Sequence, residues 1–170
     1  KKIPLVFLHD VTGFMVGKRS EHGGIIKDGA KMVNAVANST VPKFSVVIGN
    51  SFGAGNYAMC GKAYDPRLIV AWPTAKIAVM GGTQAARVLT QIQVSSLKKQ
   101  GKAPDPEGEQ ALFEQIKEKY DSQTTPYYAA ARLWVDAIID PRATREFISL
   151  GIEMADHGTV EKFNPGVLQT

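Results

Sequence analysis

The amino-acid sequence predicts an α/β protein built on a mostly parallel sheet. Short apolar runs typical of buried strands alternate with amphipathic helical patterns along the chain. Strands that alternate with helices need crossover connections, and these connections place the strands parallel. The 170 residues, 44% hydrophobic and 21% charged, are an ordinary length and composition for one domain.

The elements follow one another in a regular order. The predicted strands cover residues 3–8, 44–48, 68–72, 76–80 and 135–139. The predicted helices cover residues 26–38, a short segment from about 54 to 61, and residues 83–93, 109–120 and 144–157. We expect the first strand to be buried on both faces, because its apolar run is continuous. Residues 95–108 contain Gly101, Pro104 and Pro106 and predict a linker, and the tail from residue 158 is expected to be loosely attached.

Composition narrows the classes of partner. The net charge is +4, but the lysines and arginines are scattered, so no nucleic-acid partner is expected. Cys60 is the single cysteine, so no internal disulfide can form. No apolar run reaches the roughly 18 residues that span a membrane. The chain begins without Met and leads directly into a strand, which indicates a fragment that starts inside a fold.

Two common kinds of active site have little support. Ser51 lies beside a Gly-rich segment, but no G-x-S-x-G motif surrounds it and nothing marks a partner base among the three histidines. The sequence from Gly53 to Gly55 gives only G-x-G, not the complete G-x-G-x-x-G of a dinucleotide site. Neither H-E-x-x-H nor a cysteine pair at zinc spacing is present, so no metal is expected.

The two Gly-rich segments share a position. Residues 12–17 follow the first predicted strand and residues 49–56 follow the second. Ligands in open α/β sheets bind at the carboxyl ends of the strands. A helix that begins near Ala54 would offer unpaired backbone amides to an oxyanion that develops on a carbonyl. The alternative interpretation, that these glycines only form tight turns, stays open at this point.

Longer motifs resemble the carboxyltransferase (β) subunit of biotin-dependent acyl-CoA carboxylases. They occupy residues 13–17, 21–31, 51–61, 71–82 and 135–145, in the family's order along nearly the whole chain. The run Gly55-Asn56-Tyr57-Ala58-Met59-Cys60-Gly61 is closer to the methylcrotonoyl-CoA and geranyl-CoA types than to the propionyl-CoA type.

This resemblance implies a crotonase-like β-β-α spiral fold in a single domain. Residues 1–170 would be the C-terminal domain of a two-domain subunit whose N-terminal domain is absent. The family places its oxyanion hole on the backbone amides that match Ala54 and Gly55, which hold the biotin enolate. Gly13 and Phe14 match the loop on the other side of that pocket. The remaining predicted pocket residues are Gly53, Tyr57, Val16, Gly17, Met80 and Gly81.

The resemblance also implies a reaction and partners. CO2 would pass from carboxybiotin to the enolate of a short acyl-CoA such as methylcrotonoyl-CoA, with biotin carried on a partner subunit or domain and no metal involved. The partners would be a biotin carboxylase/biotin-carrier subunit and further copies of the chain in a hexamer, with the active site between subunits. The compartment would be the bacterial cytoplasm or the mitochondrial matrix. A biotin-dependent decarboxylase, an assembly module that is inactive alone, and a crotonase-type hydratase or isomerase are the alternatives. A hydratase needs a carboxylate at the pocket, and Glu21 is the one nearby candidate.

Overall fold

The computed structural model describes residues 2–102, 105–159 and 162. Its strands are β1 (Leu5–Val11), β2 (Lys43–Phe52), β3 (Leu68–Ala71), β4 (Lys76–Ala78) and β5 (Ala137–Ile138). Its helices are α1 (Lys18–His22), α2 (Ile25–Asn38), α3 (Gly53–Ala58), α4 (Gly82–Lys99), α5 (Pro106–Gln123), α6 (Pro126–Ala130) and α7 (Thr144–Asp156). Two short 3₁₀ turns cover Lys62–Tyr64 and Pro141–Ala143.

The sheet is parallel in every pairing among the described residues, which confirms the predicted α/β class. The strand order is β1-β2-β3-β5, and β4 pairs with the far half of β2. The first part of β2, from Phe44 to Val47, pairs with β3, and its last part, from Asn50 to Phe52, pairs with β4. One ten-residue strand therefore carries two neighbours in succession on the same side.

Alternate residues of the central strands build a core on each face of the sheet, as the period of a strand requires. On one face Val47 and Ile69 pack in a cluster with Ala129 of α6. On the other face Val46 and Val70 pack in a second cluster. The helix α7 covers this second cluster with Phe147 and Ile148. The sheet is thus buried between helices at its centre.

The prediction that the first strand is buried on both faces is wrong. Leu5, Val6 and Leu8 of β1 are 39%, 41% and 51% exposed. The reason is that β1 lies at the edge of the described sheet, where it pairs with β2 alone. His9 is the one residue of this strand that is fully buried.

The predicted linker over residues 95–108 is also largely wrong. The helix α4 continues to Lys99, and α5 begins at Pro106, with the Asp105 carboxylate accepting hydrogen bonds from the Glu107 and Gly108 amides. Proline at the first helical position marks a helix start rather than a loop. The residues between α4 and α5 include 103–104, which lie outside the described residues, as do 160–161 and 163–170 of the predicted loose tail.

Smaller differences concern the ends of elements. The short helix α1, which the sequence did not indicate, follows the first Gly-rich segment, and β2 extends to Phe52 through residues predicted as loop. The helix α4 has Gly81 as its N-cap, not the predicted Thr83. The strand predicted over residues 135–139 is reduced to β5. The helices α2 and α7 agree with their predicted ranges to within one residue at each end.

Candidate oxyanion site

A bulge sets the relation between β1 and β2. His9 pairs with Val47, but Val11 pairs with Ser51, so β2 contains two more residues than β1 between these pairs. The Asp10 carboxylate accepts a hydrogen bond of 3.0 Å from the backbone N–H of Asn50 within the bulge. The two extra residues of β2 bring Ser51 level with the end of β1, where its side chain contacts that of His9.

The helix α3 begins directly after β2 and carries the predicted amides. Its N-cap is Phe52, which makes no side-chain cap, and Gly53 has a φ of 55°, in the left-handed region that favours glycine. A β-carbon on Gly53 would lie 2.9 Å from the carbonyl oxygen of Val79. The amides of Ala54 and Gly55 belong to the first turn, where a helix leaves N–H groups without intrahelical partners. Ala54 is exposed and Gly55 is buried, so this turn faces the surface only on the side of Ala54.

The two Gly-rich segments meet at Gly55. A β-carbon on this residue would lie 2.8 Å from Cγ2 of Val11 and 3.1 Å from Cα of Gly13. The backbone of α3 therefore rests against the segment that leaves β1, with no room for a side chain between them. Phe14 turns away to pack against α2, where its ring would lie 3.2 Å from a β-carbon on Gly29.

An open cleft of about 230 Å³ lies beside α3. Tyr57, which is half exposed, and Trp134 contribute its aromatic walls. Lys62 is the cation of the cleft, and its ammonium lies 2.9 Å from the Asp136 carboxylate. The full lining is Gly53, Asn56, Tyr57, Lys62, Ile69, Ile77, Ala78, Val79 and Trp134.

The other predicted pocket residues lie apart from this lining. Val16 is exposed and Gly17 is the N-cap of α1. Met80 is half-buried just after β4, and Gly81 lines a neighbouring polar cleft at the start of α4. The structure thus joins Gly53 and Tyr57 in one cleft and Gly13 with Gly55 in one contact.

Cys60 fits the expectation of a small buried hydrophobe. It is fully buried, and burial raises the pKa of its thiol, with smaller lowering effects from Ser45 and Lys43. A neutral, inaccessible thiol is not a nucleophile. Among the described residues, no group of three or more His, Cys, Asp or Glu side chains is placed to hold a metal ion.

Ser51 does have a histidine partner, although the sequence marked none. His9 Nδ1 lies 2.8 Å from Ser51 Oγ, and Asn56 Nδ2 donates a 2.7 Å hydrogen bond to the same oxygen. His9 and Ser51 are 42 residues apart in the chain, so no local motif could reveal the pair. Both side chains are completely buried, which excludes Ser51 as a nucleophile for an external substrate.

Similarity to known proteins identifies the family of this chain. The chain belongs to the carboxyl transferase domain family, which matches residues 1–166. It is 50% identical over 169 residues to the probable mitochondrial methylcrotonoyl-CoA carboxylase beta chain of Drosophila melanogaster, covering 99% of this chain and 29% of that protein. It is 49% identical to the biotin-dependent 3-methylcrotonyl-coenzyme A carboxylase beta1 subunit of Mycobacterium tuberculosis, covering 99% and 32%.

Solved structures agree with these relatives. The beta subunit of Pseudomonas aeruginosa geranyl-CoA carboxylase superposes with a TM-score of 0.86 at 42% identity, covering 99% of this chain and 32% of that chain. Transcarboxylase 12S, a hexamer solved with methylmalonyl-coenzyme A bound, gives 0.79 at 38% identity, covering 99% and 30%. The crotonase-like fold predicted from the resemblance is confirmed. The chain spans about a third of the length of these proteins.

Proposed function

We propose that this chain is the C-terminal carboxyltransferase domain of a longer subunit of a biotin-dependent acyl-CoA carboxylase, of the methylcrotonoyl-CoA type. The identity of 49–50% with methylcrotonoyl-CoA carboxylase beta chains over 99% of the chain carries this proposal. The first turn of α3 supports it, because this turn lies at the end of a parallel strand, with Ala54 exposed and Gly55 buried against the segment after β1. Helix-start amides in this position suit carbonyl chemistry without a side-chain nucleophile.

The proposed role of Ala54 and Gly55 is electrostatic. Biotin, bound through a partner subunit or domain, supplies the carboxyl group and the base of the reaction. The two amides would donate to its ureido oxygen and would stabilise the negative charge that develops there. The glycines shape this turn, because Gly55 lets α3 lie directly against Gly13 and because Gly53 takes a left-handed φ.

The cleft beside α3 is the proposed pocket for the reacting groups. Tyr57 stands where the resemblance places a residue that tunes acyl selectivity, and it lines the cleft together with Gly53. Phe14, Val16, Gly17, Met80 and Gly81 remain predicted pocket residues that the absent first domain would help to define. The N-terminal domain would supply most of the coenzyme A surface.

The proposed assembly is a homo-oligomer, a hexamer with the active site between subunits, served by a biotin carboxylase/biotin-carrier subunit. The hexameric transcarboxylase 12S supports this, as does the exposed apolar surface of β1. The eukaryotic relatives are named as mitochondrial proteins, and the proposed compartment is the mitochondrial matrix or, in a bacterium, the cytoplasm. No helix in the described part of the chain has the length and apolar character to cross a membrane.

A biotin-dependent decarboxylase is the second candidate, since it would use the same site in reverse. The methylmalonyl-CoA decarboxylase subunit alpha of Propionigenium modestum is 37% identical over 150 residues. The identity to the carboxylase beta chains is higher, and it extends over more of the chain.

The test is transfer of labelled bicarbonate by the complete subunit with its biotin-carrier partner and ATP. Methylcrotonoyl-CoA, geranoyl-CoA, propionyl-CoA and acetyl-CoA are offered in turn. We expect label in the product of methylcrotonoyl-CoA at the highest kcat/KM. An enzyme that labels none of the four, but releases CO2 from a carboxylated acyl-CoA, is the decarboxylase instead.

A further inference from the structure

A buried hydrogen-bond network connects three elements at the candidate site, and the proposed mechanism gives this network no role. His9 of β1 contacts Ser51 of β2 at 2.8 Å between Nδ1 and Oγ. Asn56 of α3 donates to the same Oγ at 2.7 Å. His9 and Ser51 are each 0% exposed, and unbound polar groups are costly at such depth, so these bonds hold their partners firmly in place.

This hydrogen-bond network brackets the segment whose amides are the proposed oxyanion donors. Ser51 comes just before the N-cap Phe52, and Asn56 comes just after Gly55. The bond between their side chains therefore closes a ring around the first turn of α3. Asn56 is held on its other side too, because a β-carbon on Gly61 would overlap its Oδ1 and lie 3.0 Å from its carbonyl oxygen.

The direction of the hydrogen bonds follows from the donors. The Asn56 amide can only donate through Nδ2, so the Ser51 hydroxyl is left free to donate to Nδ1 of a neutral imidazole. Burial lowers the pKa of His9, with a smaller opposing effect from the backbone of Met59. Nε2 is buried and has no hydrogen-bond partner in the described part of the chain. His9 is thus a neutral hydrogen-bond acceptor at the end of this network.

We propose that His9, Ser51 and Asn56 are positioning residues for carboxyl transfer, which hold the amides of Ala54 and Gly55 in the orientation that the reaction needs. The inference rests on the proposed function of those amides. Since Ser51 and His9 are inaccessible, they act through the backbone of α3 and not on the substrate. Removal of the Ser51 or His9 side chain leaves the binding of acyl-CoA intact and slows the chemical step, whereas Asn56 also lines the cleft beside α3.

The experiment uses the complete subunit with its biotin-carrier partner and methylcrotonoyl-CoA. Ser51→Ala and Asn56→Ala are each expected to lower kcat about tenfold, because small misplacement of a catalytic group is costly. The KM for acyl-CoA is expected to stay within about twofold, the pattern of an interaction made in the transition state. The double variant is expected to lose no more than either single variant, because both break one network.

Two further sets of variants separate positioning from general damage to the core. His9→Asn keeps a polar group near the position of Nδ1 and is expected to retain more kcat than His9→Leu, which keeps none. Thr90→Val is the matched control, because Thr90 of α4 is 4% exposed and its hydroxyl finds no hydrogen-bond partner among the described residues. Its kcat is expected to equal the wild-type value. Hydrogen exchange of the Met59 amide, which donates to the Gly55 carbonyl at 3.1 Å, is expected to rise in Ser51→Ala and not in Thr90→Val.

The outcomes distinguish this inference from the function on which it depends. An active wild type with a folded Ser51→Ala variant at full kcat overturns the positioning role alone. The positioning role is also overturned if Thr90→Val loses as much kcat as Ser51→Ala, or if the losses in the double variant multiply. A wild type that transfers no carboxyl group overturns the proposed function, and the inference falls with it.

Discussion

At the scale of single residues, the site depends on backbone atoms and on what surrounds them. The amide of Ala54 is the simplest to remove, since proline lacks the donor and is tolerated in a first helical turn. We expect Ala54→Pro to lower turnover by about 10²–10³, the usual effect of losing one oxyanion donor. The fold should survive, because that N–H has no intrahelical partner. Steady-state carboxylation measures the turnover of the variant, and circular dichroism measures its folding. A folded variant with full activity would place the oxyanion donors elsewhere.

His9 predicts a dependence of stability on pH. Its pKa in the unfolded chain is near the ordinary 6.5, and burial lowers it in the folded protein. Below pH 6.5 the unfolded chain therefore binds more protons than the folded one. The contribution of His9 to stability is complete above pH 6.5 and is lost as the pH falls through the lowered pKa of the folded protein. We expect the melting temperature of the complete subunit to fall on acidification, and to fall less steeply in His9→Asn. His22→Asn, which changes an exposed histidine, should keep the wild-type slope. Equal slopes in wild type and His9→Asn would contradict a buried neutral His9.

Residue-scale prediction from sequence succeeded for short-range features and failed for long-range ones. The helix start that contains Gly53, Ala54 and Gly55 could be predicted, because a strand, a Gly-rich turn and a helix follow one another locally. The contact of His9 with Ser51 could not, because it depends on a two-residue bulge in β2 that no local pattern marks.

At the scale of elements, the site is the contact between the start of α3 and the segment after β1. Gly55→Ala adds a methyl group where Val11 and Gly13 leave no room. We expect it to push the two segments apart and to lower kcat at least about tenfold, because catalytic groups tolerate little displacement. Gly101→Ala adds the same methyl group where nothing lies within 4 Å, although its positive φ adds some strain, and it should keep wild-type kcat. Retention of full activity by a folded Gly55→Ala would show that this contact does not shape the site.

Elements were predicted well where the periodicity of apolar residues is strong. They were predicted poorly where contacts with neighbouring elements determine burial or length. The amphipathic patterns of α2 and α7 gave their bounds to within a residue at each end. The exposure of β1 depends on having one neighbour only, which its apolar run does not reveal. The helix α4 continues through polar residues that suit a helix surface as well as a loop, so the linker was predicted too long.

At the scale of the whole molecule, the chain presents surface that a larger assembly would cover. Leu8 of β1 and Leu133 before β5 are 51% and 77% exposed. Apolar residues of this size are often buried by other domains or subunits. We expect the complete subunit to run as a hexamer in light scattering, and Leu8→Lys to weaken that assembly or its stability more than the surface change Lys31→Gln. A fully active monomer would contradict an active site shared between subunits.

The central claim is that the amides of Ala54 and Gly55 receive the ureido oxygen of biotin. The most direct test is a structure of the complete subunit with biotin bound. We predict the ureido oxygen within about 2.7–3.1 Å of both amide nitrogens. A biotin ring bound with its oxygen against other donors, and with the first turn of α3 open to solvent, would contradict the claim.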